Sequence, residues 1–314
     1  MTGNDGGESP AQRLIAAITR GLMRAMVRPT FRAGRPIEQQ RLRVARVGRL
    51  TPTPRGVEFR TTTCGSVPGE SVTVPSAAPA GRVILYLHGG GYCVGSPPTH
   101  RVMTGHLASR AAARVFAAAY RLAPEHPFPA ALDDAVAAYT GLLADGVGPS
   151  EVAIAGDSAG GGLAVATLLR LRQLGVPGPA ALVLFSPWVD LGLGALEAPP
   201  PGEILITRPW LEECARFYLA GRSAEDPLAS PLRADLRGLP PTLIQVGTDE
   251  LLLTDSRRLY AALVAAGVEA ELQEYPRRWH VFQMNAGLLA DADRALDAAG
   301  EFIRSRVAAP SATP

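Results

Sequence analysis

A serine between closely spaced glycines carries the strongest chemical signal in this chain. Residues 156–161 read Gly-Asp-Ser-Ala-Gly-Gly, after a short apolar run at 152–155 and before a helix-forming stretch. This is the G-x-S-x-G pattern on a strand-to-helix turn, where small neighbours leave the hydroxyl of a nucleophilic serine exposed. Because such a pattern can arise by chance among 33 glycines, Ser158 could also be an ordinary helix cap.

A glycine run upstream supplies a second signal. The apolar segment 83–87 leads into His88, Gly89, Gly90 and Gly91. Backbone N–H groups in such a run are not shielded by side chains, and they can bind the negative charge that develops on a carbonyl oxygen during acyl transfer. A phosphate-binding loop of the Walker type needs a lysine, and this sequence has none. We expect His88 to position the loop rather than to act as a base.

These two segments resemble the hormone-sensitive-lipase group of α/β-hydrolases, which includes bacterial carboxylesterases. Three further stretches agree with that group, at 120–134, 186–191 and 226–232. In its C-terminal half the chain is most similar to the acetyl-hydrolase, heroin-esterase and monoterpene-lactone-hydrolase members. The resemblance implies an α/β-hydrolase fold, with a mostly parallel eight-stranded sheet flanked by helices and a helical cap.

The general base should follow the serine along the chain, because this fold orders its triad as serine, acid and histidine. His280 is the one histidine after Ser158, and it follows a predicted last strand at about 270–275. We expect structural or surface roles for the upstream histidines, which are His100, His106 and His126.

Three carboxylates compete for the role of the acid. The predicted strand 242–247 is followed by Asp249 and Glu250, with Asp255 further on. The family usually has an aspartate in an Asp-Pro-Leu segment here, and a gapless match places that aspartate on Glu250. A glutamate can replace it, since the acid only orients the imidazole and stabilises the imidazolium. Glu250 is the first candidate; Asp249 and Asp255 stay open, and Asp255 also suits the start of a helix.

The motifs together predict a serine esterase that acts through an acyl-enzyme, and the resemblance implies a carboxylesterase of short- to medium-chain esters. The turn rule assigns the N–H of Ala159 to the oxyanion hole, and the resemblance adds those of Gly90 and Gly91. His88, Gly89 and Asp157 support the motifs. A lactone hydrolase or an amide deacetylase would use the same residues, and a catalytically inactive binding protein on this scaffold is a remote alternative.

Alternating strand and helix patterns predict a doubly wound sheet that positions these residues. Weaker patterns near 43–49 and 56–62 predict antiparallel edge strands. Residues 10–28 form an amphipathic pattern that fits either an arginine-rich membrane-surface helix or, as we favour, a cap over the site. We therefore predict N-terminal cap helices at 1–45 and a catalytic domain at 46–314 with a cap insertion at about 187–225. The first nine residues and the tail 309–314 are expected to be disordered.

Composition narrows the remaining function classes. All 31 basic residues are arginines, which excludes lysine bases and Schiff bases. A net charge of +2 predicts no nucleic-acid partner. Three distant cysteines suggest neither a disulfide framework nor a zinc site, and we expect no metal or other cofactor. No apolar run is long enough to insert across a membrane, and the N-terminus lacks the pattern of a secretory signal, which predicts a cytoplasmic location. By resemblance, a homodimer through the last strand is plausible.

Overall fold

The computed structural model describes residues 9–75 and 81–308. Its strands are β1 Glu58–Cys64, β2 Val67–Thr73, β3 Val83–Leu87, β4 Arg114–Ala118, β5 Val152–Asp157, β6 Ala181–Phe185, β7 Thr242–Gly247 and β8 Ala270–Tyr275. Its α-helices are α1 Pro10–Leu22, α2 Ile37–Leu50, α3 Arg101–Ala111, α4 Ala130–Ala144, α5 Ala159–Gln173, α6 Arg208–Leu219, α7 Leu253–Ala265 and α8 Ala290–Arg306, and a π-helical turn, Met23–Val27, extends α1.

The strands form one sheet in the order β1-β2-β4-β3-β5-β6-β7-β8. The pairs β1–β2 and β2–β4 are antiparallel, and the strands from β4 to β8 run parallel. Parallel strands need helical crossovers, which cover both faces and bury the strands completely. All five residues of β3 are buried accordingly. The predicted α/β-hydrolase fold with an eight-stranded, mostly parallel sheet is confirmed.

Side chains alternate between two hydrophobic layers across the sheet. Leu85 and Leu87 of β3 pack with residues of α4, α5 and α7 on one face. Ile84 and Tyr86 pack with residues of α3 and α8 on the other. Because these strands run parallel, their carboxyl ends and the loops that follow them gather at one edge of the sheet, where ligands bind in open α/β sheets.

The predicted strand at 43–49 is wrong, because these residues lie in α2. Arginine and apolar residues alternate at 41–44 and imitate a strand, but Val44 and Val47 share one face of the helix and contact the central cavity. The second antiparallel strand is instead β2, which carries Pro68 and Gly69.

Helix α1 lies across the loops that follow β7 and precede α8. Ser9 caps it through a hydrogen bond from the Gln12 backbone N–H to Ser9 Oγ, and Gln12 Oε1 accepts from the N–H of Ala290. Arg20 donates to the carbonyl of Gly202 and to Asp249. The segments predicted to be disordered lie outside the described residues except for Ser9. Since α2 continues to Leu50, the predicted boundary near residue 45 falls within a helix, and the division into domains stays a prediction.

Candidate active site

Ser158 lies on the turn between β5 and α5 with a backbone φ of 51° and ψ of −121°. This conformation is costly for a residue with a side chain, and hydrogen bonds from Ser158 N–H to Phe185 O and from Trp188 N–H to Ser158 O hold it. A Cβ on Gly160 would overlap the Leu87 carbonyl oxygen, and one on Gly156 would overlap that of Gly160. The glycines at these two positions therefore let the turn pack against β3.

Ser158, His280 and Glu250 form an unbroken hydrogen-bonded chain. Ser158 Oγ lies 2.9 Å from His280 Nε2, and His280 Nδ1 lies 3.0 Å from Glu250 Oε1. The three residues come from the loops after β5, β7 and β8 and are separated by 30 to 122 positions. This geometry allows a hydroxyl to pass its proton to an imidazole that a carboxylate orients.

The carboxylate of Glu250 is buried but fully engaged. Only 2% of the residue is exposed, and its second oxygen, Oε2, accepts hydrogen bonds from Ser186 Oγ at 2.7 Å and from the N–H of Gly247 at 2.9 Å. Ser186 Oγ also accepts from the N–H of Val281, beside His280. These bonds stabilise the ionised carboxylate and fix its direction.

Burial by itself would lower the pKa of His280. The negative charge and hydrogen bond of Glu250, and the nearby charge of Glu203, outweigh burial and raise that pKa. A raised pKa strengthens the imidazole as a proton acceptor while leaving it able to return the proton.

The two alternative carboxylates lie elsewhere. Asp249 points to the cap and forms an ion pair of 2.9 Å with Arg20. Asp255 accepts from the N–H groups of Val189 and Asp190 at 3.0 and 3.2 Å, and burial raises its pKa to about 6. Of the three carboxylates predicted as candidates, the structure brings Glu250 to His280.

The glycine run adjoins Ser158 through Asp157. The Asp157 carboxylate accepts from Tyr86 Oη at 2.6 Å and from the N–H of Gly89 at 3.0 Å, and it lies 3.5 Å from His100 Nε2. A Cβ on Gly89 would overlap this carboxylate. Burial alone would raise the pKa of Asp157, but the charge of His100 and the hydrogen bonds from His100 and Tyr86 lower it.

Gly90 and Gly91 adopt φ angles of 118° and 61°, which favour glycine. Among the described residues, no protein acceptor binds the N–H of Gly90, Gly91 or Ala159. Three N–H groups are thus available near the nucleophile's turn, as an oxyanion hole requires.

His88 is buried against Tyr120, whose ring stacks on it at a centroid distance of 4.3 Å. Burial lowers the pKa of His88 to about 3, so the ring is neutral near pH 7. Its Nδ1 lies 2.8 Å from the carbonyl oxygen of Gly89, and Tyr120 Oη donates to the carbonyl of His88 itself. These contacts hold the glycine loop and keep His88 away from proton transfer.

The roles of three residues near the site could not be predicted from the sequence. Ser186 lies in one of the stretches that agree with the family, but nothing in the sequence indicates its role, and His100 is expected to be structural with no indication of its link to Asp157. Glu203 had no signal at all: it accepts from the N–H groups of Leu205, Ile206 and Leu251, and so joins the cap insertion to the loop that carries Glu250.

A cavity of about 610 Å³ opens above Ser158 and His280. Its wall is mainly apolar. It combines residues from the π-helical turn after α1, from α2 and from the segment between β6 and β7 with residues from the body, among them Met23, Val47, Ile206, Trp210 and Met284. Trp210 is fixed by a hydrogen bond from its Nε1 to Gln40 Oε1. A volume of this size suits a small organic ligand.

Two further properties concern metals and membranes. Within residues 9–75 and 81–308, no group of three or more histidine, cysteine, aspartate or glutamate side chains is arranged to hold a metal ion. None of the helices in the same residues is long and apolar enough to cross a bilayer.

Several known proteins are similar to this chain in sequence. Residues 84–284 match a family model described as the alpha/beta hydrolase fold. An acetyl-hydrolase of Streptomyces hygroscopicus is 47% identical over 251 residues, covering 77% of this chain and 84% of the relative. An esterase of Acinetobacter venetianus is 36% identical over 290 residues, covering 91% and 95%.

Solved structures extend the likeness to the whole architecture. An esterase of the bacterial hormone-sensitive lipase family superposes with a TM-score of 0.87 at 40% identity, covering 96% of this chain and all of that one. A hormone-sensitive-lipase homologue from a metagenome library gives a TM-score of 0.85 at 39% identity, covering 93% and 99%. The chain therefore belongs to the hormone-sensitive-lipase family of α/β-hydrolases and is a carboxylic ester hydrolase.

Proposed function

We propose that this enzyme is a serine carboxylesterase in which Ser158 is the nucleophile, His280 the general base and Glu250 the acid. The observation that carries the proposal is the continuous chain from Ser158 Oγ through His280 to Glu250, with steps of 2.9 and 3.0 Å. Asp249 and Asp255 are engaged by Arg20 and by backbone N–H groups, which supports Glu250 over either of them.

In the first half of the reaction, Ser158 Oγ attacks the ester carbonyl carbon while His280 Nε2 takes the hydroxyl proton. The carbonyl oxygen becomes an oxyanion that the N–H groups of Gly90, Gly91 and Ala159 stabilise. The imidazolium, held by Glu250, then gives its proton to the leaving alcohol oxygen as the ester C–O bond breaks. The acyl group remains on Ser158.

In the second half, a water molecule takes the place of the alcohol. His280 removes a proton from this water, whose oxygen attacks the acyl carbon, and the same N–H groups stabilise the second oxyanion. The proton then returns to Ser158 Oγ as the bond to the acyl group breaks and the carboxylic acid leaves. The raised pKa of His280 suits it to both directions of transfer.

Short- to medium-chain esters are the proposed substrates. The apolar wall and the volume of about 610 Å³ leave room for an acyl chain longer than acetyl, while the Streptomyces relative is named for acetyl hydrolysis. Lactones and amides would meet the same catalytic residues.

A substrate panel tests the proposal. Wild-type protein should hydrolyse p-nitrophenyl acetate, butyrate and octanoate, and Ser158→Ala should lose about 10⁵-fold or more in kcat while its thermal unfolding stays cooperative. A fluorophosphonate probe should label the wild type and leave Ser158→Ala unlabelled. Wild-type protein that is inert to every ester and to the probe would point to the catalytically inactive binding protein. Labelling by the probe without ester turnover would favour a lactone or an amide.

Two expectations of the sequence remain proposals. A homodimer through β8 is compatible with the sheet, since β8 is the last strand of the sheet formed by residues 9–75 and 81–308 and pairs there only with β7; light scattering after gel filtration would test it. The cytoplasmic location stays a prediction.

A further inference from the structure

The outer face of α1 carries an exposed apolar row. Leu14, Ile18 and Leu22 are spaced four residues apart, and Met26 continues the row into the π-helical turn. Between 54% and 62% of each of these residues is exposed. The opposite face of the same helix is the one that packs on the body, because it buries Ala16 and Thr19. The cap role of α1 therefore accounts for one of its faces and leaves the apolar row without a partner among the described residues.

The region around this row is strongly basic. Residues 10–55 contain 11 arginines and one acidic residue, Glu38, whereas residues 56–314 contain 20 arginines and 26 acidic residues. The small net charge of the whole chain thus hides two regions of opposite sign. Arg20 and Arg41 pair with Asp249 and Glu125. The arginines of this region that are exposed are Arg13, Arg24, Arg32, Arg43, Arg46, Arg49 and Arg55.

Arg13 of α1 and Arg24 of the π-helical turn border the apolar row. At about 100° per residue, Arg13 and Arg24 lie on the same flank of the row and within about a quarter turn of Leu14. An exposed apolar helix face bordered by arginines is the arrangement with which helices lie in the headgroup region of anionic lipids. Positive charge alone would fit many acidic partners, but the combination of charge with four exposed apolar side chains favours a lipid surface.

The apolar row also adjoins the opening of the catalytic cavity. Met23 and Val27, which follow Leu22 and Met26 in the chain, line the cavity. Leu50 and Leu288 line it too, and 78% and 60% of these two residues are exposed. An apolar rim on the opening lets a hydrophobic molecule pass from the outer surface into the cavity with little exposure to water.

We propose that the cap docks on the surface of an anionic lipid assembly through the apolar row and its bordering arginines, and that ester substrates enter the cavity from that surface. The second half of this proposal rests on the esterase function proposed above, and the first half does not. A second copy of the chain is a poorer occupant, because pairing two caps would bring two strongly positive regions together.

Vesicle flotation with the Ser158→Ala protein tests docking separately from catalysis. Vesicles of phosphatidylcholine and phosphatidylglycerol in equal parts should carry the protein upward at low salt, and pure phosphatidylcholine vesicles should carry far less. Leu14→Gln/Ile18→Gln/Leu22→Gln should weaken partitioning by about 100-fold or more. Arg13→Gln/Arg24→Gln should weaken it by about 30-fold, at roughly fivefold per arginine, and added salt should reduce this second difference.

Matched controls use equally exposed residues of the body. Leu174 and Val264 are each 51% exposed, so Leu174→Gln/Val264→Gln should bind vesicles like the parent protein. Arg114→Gln/Arg304→Gln controls for lost charge. The triple variant, Leu14→Gln/Ile18→Gln/Leu22→Gln, is also made in an otherwise wild-type background. It should keep the unfolding midpoint and the turnover of dissolved p-nitrophenyl butyrate, since none of its three positions lines the cavity.

Three outcomes would overturn docking: no flotation with anionic vesicles, equal flotation with neutral ones, or an equal loss in the body controls. If the protein forms a dimer that the three substitutions dissociate, the apolar row belongs to a contact with a second copy instead.

For substrate entry, active enzyme should hydrolyse p-nitrophenyl octanoate in anionic vesicles faster than the triple variant does. If the parent protein floats with anionic vesicles and the triple variant does not, but both hydrolyse this ester at equal rates, entry from the surface is refuted and docking is not.

Discussion

Two regions of this enzyme meet different physical requirements. The body is the sheet with its flanking helices, and the cap consists of α1, α2 and the segment between β6 and β7. In the body, two buried carboxylates near Ser158 have fixed partners: Glu250 is held by Ser186 and Gly247, and Asp157 by Tyr86, Gly89 and His100. In the cap, apolar side chains and arginines face outward, and the inner surface forms much of the cavity wall.

This difference separates reaction chemistry from substrate choice. Proton transfer needs donor and acceptor held within a few tenths of an ångström, which buried and fully bonded groups on strand ends achieve. Substrate choice needs only a shaped apolar wall, which helices outside the sheet can vary without disturbing the triad. Changes in the body should therefore act on kcat, and changes in the cap on the preference among substrates.

The sharpest test of this separation is Glu250→Gln. An uncharged amide cannot stabilise the imidazolium of His280, so kcat should fall by about 10⁴-fold with little change in KM. The adjacent Asp249→Asn should lower kcat by less than about threefold, because Asp249 faces the cap. Steady-state kinetics on p-nitrophenyl butyrate measures both, and a larger loss in Asp249→Asn than in Glu250→Gln would reverse our assignment of the acid.

The cap side of the comparison is tested by Val47→Phe. Val47 on α2 lines the cavity, so the larger ring should fill part of it and lower kcat/KM for p-nitrophenyl octanoate by about tenfold. Turnover of the acetate should change by less than about twofold. Leu42→Phe on the exposed side of α2 is the matched control. Equal losses on both esters would mean that α2 contributes to the chemistry rather than to selection.

Glu203 lies where the two regions meet, and pH profiles test its influence. Catalysis needs neutral His280, so activity is lost as the pH falls through the pKa of that residue. The charge of Glu203 raises this pKa, so Glu203→Gln should move the acidic limb of the kcat/KM profile to lower pH. A limb that stays in place while kcat drops would mean that Glu203 only holds the loop of Glu250.

Arg20→Gln should have the smallest effect. Arg20 ties α1 to Asp249 and to the carbonyl of Gly202, but partly exposed ion pairs contribute less than about 1 kcal/mol to the free energy of unfolding. We expect a small fall in the unfolding midpoint and unchanged kcat. Arg24→Gln, on the outer side of the π-helical turn that extends α1, should change none of these quantities for dissolved substrates.

Much of the body could be predicted because its signals are local. The glycines at 156 and 160 are required by the turn of Ser158 itself, and the buried parallel strands appear as short apolar runs. The wrong predictions concern the antiparallel strands at the edge of the sheet. Arginines alternate with apolar residues in part of α2, and this pattern resembles that of a strand. Pro68 and Gly69 are unusual in strands, so the sequence does not indicate β2. Gly69 is nevertheless needed there, because a Cβ would overlap the carbonyl of Ala117 on β4.

The sequence by itself determined the nucleophile's turn, the glycine loop, the order of the parallel strands along the chain and the histidine that follows them, since each depends on backbone sterics or on residues close together in the chain. Only the tertiary structure decided which of two adjacent carboxylates reaches His280. Glu250 turns inward because Ser186, from the loop after another strand, binds it, while Asp249 turns outward to Arg20, 229 positions away. Side-chain direction in a loop is set by such distant partners, and no local pattern contains them.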